Sequence, residues 1–131
     1  MSSSQTSLPR LGKIEQLVMD HLWVEGMLTA DMCALKLAKQ HPMKDSTMRT
    51  VLRRLEHKGY LTHIALGRTF FYQPVVAREG AGVRALRQLV DRFWGGSVEA
   101  MMLGLVKHEV LGAEQLDTLR QRVAAERRKR T

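Results

Sequence analysis

The segment Ser46 to Gly59, S-T-M-R-T-V-L-R-R-L-E-H-K-G, restricts the folds open to this chain more than any other, because its spacing defines two surfaces at once. Met48, Val51, Leu52 and Leu55 recur at i, i+3, i+4 and i+7, so a helix through them carries one apolar stripe that must face a core. Ser46, Thr50, Arg53 and His57 fall on the opposite side, flanked by Arg49, Thr47 and Arg54, with Glu56 as the acid near its edge. Hydroxyls and guanidinium forks on one face suit a nucleic-acid groove, where they hydrogen-bond base edges or phosphate oxygens. The bland alternative is an ordinary solvated face, although such a face commonly interleaves Glu with Lys at i, i+4.

The placement of charge separates these two readings. Residues 1–43 carry four basic and four acidic groups, residues 44–78 seven and two, residues 79–119 four and six, and residues 120–131 six and one. The formal charge of +8 is therefore concentrated in the segment around this helix and in the tail, which points to a polyanionic partner met at defined places. The single cysteine, Cys33, permits no intramolecular disulfide and no four-cysteine or Cys2His2 zinc site, and its helical spacing with Ala30, Ala34 and Leu37 predicts a core position. No apolar signal region opens the chain and no run approaches the ~20 apolar residues of a membrane span, so a cytoplasmic protein without direct membrane association is expected.

Around the central segment the pattern reads as a succession of helices interrupted by one hairpin. Residues 1–9 are Ser-rich, end in Pro9 and are expected to be a disordered N-terminus. Leu11, Ile14, Leu17, Val18, His21 and Leu22 predict a first amphipathic helix over 11–23, broken by Glu25-Gly26. Thr29 is suited to cap a second helix with Asp31 in its first turn, running to about Gln40, and His41-Pro42 ends it. Asp45 or Ser46 is expected to cap the third helix, which stops at Gly59. The period then shifts toward 2: Tyr60–Ile64 and Thr69–Gln73 read as strands joined through A-L-G-R, with Arg68 near the tip. A helix-turn-helix followed at once by a hairpin predicts a winged helix over 10–76, mainly α with a small β hairpin. Arg68 is placed to reach a phosphate or the adjacent minor groove, with His63 assisting; an ordinary solvated turn is the alternative.

The remainder reads as three short helices over 77–126. Leu86, Leu89, Val90 and Phe93 form one stripe with Trp94 beside it; Gly95-Gly96 ends the first helix and Ser97 caps the next, which carries Val98, Met101, Met102, Leu105 and Val106. Gly112 precedes a third helix with Leu116, Leu119 and Val123. So much apolar surface on so few residues does not close a core alone, so this region is expected to dimerise; folding back to complete the first core is the alternative. Residues 127–131 are a basic tail, read as a helix end favouring cations in preference to a nucleic-acid arm or a membrane-surface patch.

The segments T-M-R-T-V-L-R-R-L-E-H-K-G-Y-L at 47–61, T-F-F-Y at 69–72, L-G-K-I-E-Q-L-V-M-D-H-L-W at 11–23 and F-W-G-G-S at 93–97 resemble the penicillinase-repressor family of bacterial winged-helix regulators, the BlaI/MecI/CopY group. The resemblance spans about 11–125 and implies a homodimer that represses transcription from a short operator dyad, with Thr47, Arg49, Thr50 and Arg53 or Arg54 at the DNA. On that basis two Ser46–Gly59 helices enter successive major grooves about 34 Å apart. Ser46 belongs to the same DNA-facing set, Thr50 and Arg53 are assigned to base edges, and Arg49, Arg54, Lys58 and Arg68 to phosphates.

The family also implies a regulatory membrane sensor or protease as partner, but the chain departs from it in three ways, one being the Ser-rich N-terminus, which lies outside the likeness. Copper-responsive members end in a cysteine cluster that is absent here, so no metal and no cofactor are expected. The Asn-Phe bond cleaved in β-lactam-responsive members aligns with Gly104-Leu105, the corresponding position for regulatory cleavage. A winged-helix protein-interaction module or a non-specific nucleic-acid-binding protein remains open. An enzyme is not expected, since His21, His41, His57, His63 and His108 are scattered and no nucleophile motif, carboxylate pair or glycine-rich phosphate loop occurs.

Overall fold

A computed structural model describes residues 8–130, so the Ser-rich stretch 1–7 and Thr131 lie outside the described residues. The chain divides into two compact units, Met1–Leu86 and Arg87–Thr131. The first unit holds α1 (Lys13–Glu25), α2 (Ala30–Leu37), α3 (Asp45–His57), β1 (Leu61–Leu66), β2 (Thr69–Pro74) and the beginning of α4 (Arg78–Trp94). This is a winged helix-turn-helix, as the periodicity predicts.

Local chemistry accounts for most of the boundaries. Gly26 ends α1 at φ 89°, a conformation that only glycine adopts without strain. The Thr29 hydroxyl accepts from the Met32 N–H at 3.2 Å and starts α2. The strands pair antiparallel with Leu66 opposite Thr69, and Gly67 at φ 65° makes the two-residue turn. The first strand starts one residue later and runs two residues further than the sequence predicts, because that turn closes on Gly67-Arg68 alone. Leu28 exchanges two backbone hydrogen bonds with Tyr72, at 3.0 and 2.8 Å, and so fastens the α1–α2 connection to the sheet.

The core lies between the three helices and the hairpin. Val18, Met19, Leu22, Cys33, Leu37, Met48, Leu52 and Leu55 are completely buried, which includes most of the predicted α3 stripe. Burial pushes the Cys33 thiol up to about 12. Native protein is therefore expected to resist a thiol reagent at neutral pH and to be modified at the rate of opening, with quantitative labelling in denaturant as the control. Rapid labelling of the native chain would contradict this burial.

Three expectations change. Leu8 and Pro9 do not belong to a disordered end: Leu8 packs against the core, and the Tyr60 hydroxyl donates to the Pro9 carbonyl at 2.7 Å. The cap of α3 is Lys44, with no side-chain bond to the helix, and Asp45 sits in the first turn rather than capping it. The break between units falls inside α4 and not at residue 77, because the start of α4 is tied to α1. Trp23 Nε1 donates to the Val76 carbonyl at 2.8 Å, the Arg78 guanidinium lies 5.6 Å from the Trp23 ring centroid, and Ala81 joins the core.

The second unit contains the rest of α4, α5 (Val98–Lys107) and α6 (Ala113–Arg130). Gly95 and Gly96 take φ 57° and 86° between α4 and α5, and the Ser97 hydroxyl caps α5 by accepting from the Ala100 N–H at 3.0 Å. Gly104 of α5 packs beneath the Trp94 indole, where an added β-carbon would lie 3.4 Å from Nε1, in ordinary contact. Residues 127–130 continue α6 as its last turn, where cations complement the helix dipole.

Candidate nucleic-acid interface

Burying Met48, Val51, Leu52 and Leu55 turns the other side of α3 outward, and Ser46, Thr47, Arg49, Thr50, Arg53, Arg54 and His57 are all exposed there. Ser46, Thr50, Arg53 and His57 run as one row along the helix. The Thr50 hydroxyl donates to the Ser46 carbonyl one turn earlier, at 3.2 Å, leaving its oxygen as an acceptor.

Each side of this row carries cations, held differently. On one side Arg49 shares a cleft of about 310 Å³ with Arg68 from the hairpin turn and with Thr29, Asp31, Thr69 and Phe70. The cleft opens at the start of α2, whose first-turn N–H groups add positive potential. Asp31 also meets Asp45 there. A hydrogen bond to Asp31 and the repulsion of its carboxylate raise the Asp45 carboxyl above its ordinary value, against a smaller opposing pull from Arg49.

On the other side Arg54 and Lys58 face α1. Lys58 Nζ donates to Glu15 Oε1 at 2.6 Å and to the Arg10 carbonyl at 2.9 Å, so two of its three donors are already engaged within the protein. One donor is left for the phosphate to which the sequence assigns it. Glu15 is 3% exposed and also accepts from the Gly12 N–H at 2.7 Å. Burial raises its carboxyl, but the Gly12 N–H, Lys58 and Arg54 together outweigh that and hold it below the ordinary value.

His63 is engaged inside the protein through one ring nitrogen: Nδ1 lies 2.9 Å from both oxygens of Glu56, and its ring stacks on Phe70 at 4.1 Å. The pair ties the hairpin to α3 and sets the wing's position against the helix. Sequence reasoning missed Glu15, although a signal for it exists. Glu15 stands at i to Val18, Met19 and Leu22 at i+3, i+4 and i+7, so it lies within the buried stripe of α1 and needs a partner there.

The apolar residues of the second unit fall into three groups. Val90 and Met101 are buried. Trp94, Met102, Leu105 and Leu116 are half-buried, and Leu89, Phe93 and Leu119 remain 41%, 65% and 44% exposed. Leu86, in the first unit, is 45% exposed. Gly104-Leu105 lies within α5. Among the described residues no three His, Cys, Asp or Glu side chains come together to hold a metal ion, and no helix is long and apolar enough to cross a membrane.

A family model described as penicillinase repressor matches residues 11–125. The chain is 26% identical over 114 residues to the penicillinase repressor of Bacillus licheniformis, a match covering 87% of this chain and 89% of the relative. It is 35% identical over 122 residues to the transcriptional regulator BlaI of Mycobacterium tuberculosis, covering 89% and 85%. The solution structure of the DNA-binding domain of the repressor BlaI aligns with a TM-score of 0.50 at 28% identity, over 56% of this chain and 90% of that one. With its winged helix-turn-helix and all but the end of its second helical unit inside the matched span, the chain belongs to the penicillinase repressor family, whose members are transcriptional repressors and not enzymes.

Proposed function

We propose that the protein is a sequence-specific DNA-binding repressor that acts as a homodimer on a pseudopalindromic operator, with α3 in the major groove and the hairpin beside the backbone. The observation that carries this reading is the α3 surface. An exposed row of hydroxyl and guanidinium groups is flanked by the Arg49–Arg68 cleft and by Arg54. A helix lying in a major groove presents its centre to base edges and its flanks to the two phosphate strands, and cations belong on both flanks. Thr50 and Arg53 then read bases, and Arg49, Arg54 and Arg68 take phosphates. The repressors among the chain's relatives support the same reading.

Selection of bound duplexes from a random pool, followed by salt titration against a scrambled control, tests it. A two-fold motif with half-sites about one helical turn apart, bound ~10³-fold above the control, is the expected result. Equal and steeply salt-dependent binding to both duplexes would instead mean a charge-driven binder. Within that assay Arg53→Ala is expected to cost roughly 1–3 kcal/mol and relax specificity at one base pair. Arg68→Ala should weaken every sequence alike and reduce the salt slope by about 1. Identical losses on operator and scrambled DNA for both variants would remove the distinction between them.

A further inference from the structure

The Arg54 side of α3 holds more than the α3 cations. An open cleft of about 700 Å³ runs between α3 and the start of α1, lined by Arg10, Leu11, Gly12, Lys13, Ile14, Glu15, Arg54 and Lys58. Four cations and one carboxylate meet there. Gly12, Lys13 and Ile14 at the start of the 13-residue α1 line it, so the positive end of that helix dipole borders the cleft. Arg10, Lys13 and Arg54 are exposed, whereas Glu15 lies beneath them at 3% exposure, so an anion entering the cleft reaches the cations before the carboxylate.

Glu15 is only half satisfied. Its Oε1 holds Gly12 and Lys58, but Oε2 is buried without a hydrogen-bond partner, and the Arg54 guanidinium stands 3.8 Å from it through Nη1. That separation is beyond hydrogen-bond range by about the amount a single torsion of a long side chain corrects. A guanidinium has two usable edges: one can close on Oε2 while the other is held toward a phosphate.

We propose that this cleft is a second DNA-phosphate site, formed by Arg10, Lys13 and the start of α1, in which buried Glu15 is the positioning residue that orients Arg54. The proposal rests on reading the chain as a DNA-binding protein. It extends the footprint from α3 to α1, on the side of the helix away from the hairpin cleft. It also gives the docked segment Leu8–Gly12 a function: the Pro9 and Arg10 carbonyls, bound by Tyr60 and Lys58, keep Arg10 at the rim.

The test measures affinity against salt concentration for the full chain on a mixed-sequence duplex and on a duplex selected for tight binding. Arg10→Ala with Lys13→Ala, two exposed positions, is expected to weaken both duplexes about tenfold and to reduce the salt slope by about 1–2. Glu15→Gln separates positioning from charge. Removing an acid beside a polyanion should by itself tighten binding, whereas loss of Arg54 orientation weakens it at least threefold and makes a further Arg54→Ala change nearly silent. Melting curves confirm that the variants are folded. Wild-type salt slopes in the Arg10/Lys13 variant would overturn the cleft, and tighter binding by folded Glu15→Gln would overturn the positioning role of Glu15, both leaving the repressor reading intact. Failure of the wild-type chain to bind either duplex would overturn both.

Discussion

Replacing Leu89 and Phe93 together by glutamate is expected to give a folded monomer whose operator affinity is lower by on the order of 10³. Both side chains stand on one face of α4, four residues apart, and both keep a large part of their surface in water within the single chain. Surface changes of this kind alter the stability of a free unit by roughly 0.5 kcal/mol or less. Buried unpaired in a subunit interface, each carboxylate would cost several kcal/mol. The loss at the operator follows because one half-site held alone lacks the high effective concentration that linkage gives the second. Sedimentation equilibrium together with operator titration measures both quantities. A wild-type monomer at the concentrations that saturate operator, or a dimer that survives both substitutions, would remove the second unit from the dimer interface.

Lys58→Met is expected to cost about 3 kcal/mol, because it takes from buried Glu15 its closest ion-pair partner and leaves only the Gly12 N–H and the more distant Arg54. For a unit of this size that corresponds to a melting temperature lower by more than about 10 °C. Adding Glu15→Gln should recover much of the loss, since both charges are then gone. Acidification distinguishes the two proteins. In the wild type the Glu15 carboxyl is held below its ordinary 4.5, so its contribution is fully present above that value and is lost as pH falls through the lower folded value. In Lys58→Met burial acts against a weaker opposition, the folded value rises, and the variant loses less on acidification. Urea melts at neutral and acidic pH read this directly; parallel losses in the two proteins would exclude Glu15 as the linked group.

Elements whose signal is local could be read from the chain. The α3 stripe, the Thr29 and Ser97 caps and the glycines at 26, 67, 95 and 96 each depend on neighbours within a turn, and each stands where the spacing puts it. What escaped depends on contacts distant in sequence. The anchoring of Pro9 needs Tyr60, and the commitment of Lys58 needs Glu15, more than forty residues away in each case. In α1 the fully buried face also takes in Glu15 and Met19, which the apolar pattern passed over, while Ile14 and Leu17 from that pattern pack at its edge, half-buried. Of the DNA-facing set, exposure on α3 followed from the helical period, whereas the sharing of one cleft by Arg49 and Arg68 required the hairpin to be folded against the helix.

The Gly104-Leu105 bond lies inside a capped helix, with the Gly104 carbonyl accepting from His108 and the Leu105 carbonyl from Val110 and Leu111. Peptidases take their substrates as extended strands, so this bond is inert in the closed state whatever residues flank it. Its susceptibility becomes a gauge of how often α5 unravels: with fast reclosing, the rate of cutting tracks the open fraction rather than the affinity of the protease. Whatever tightens the packing of Trp94 over Gly104 would thereby lengthen the lifetime of the intact chain.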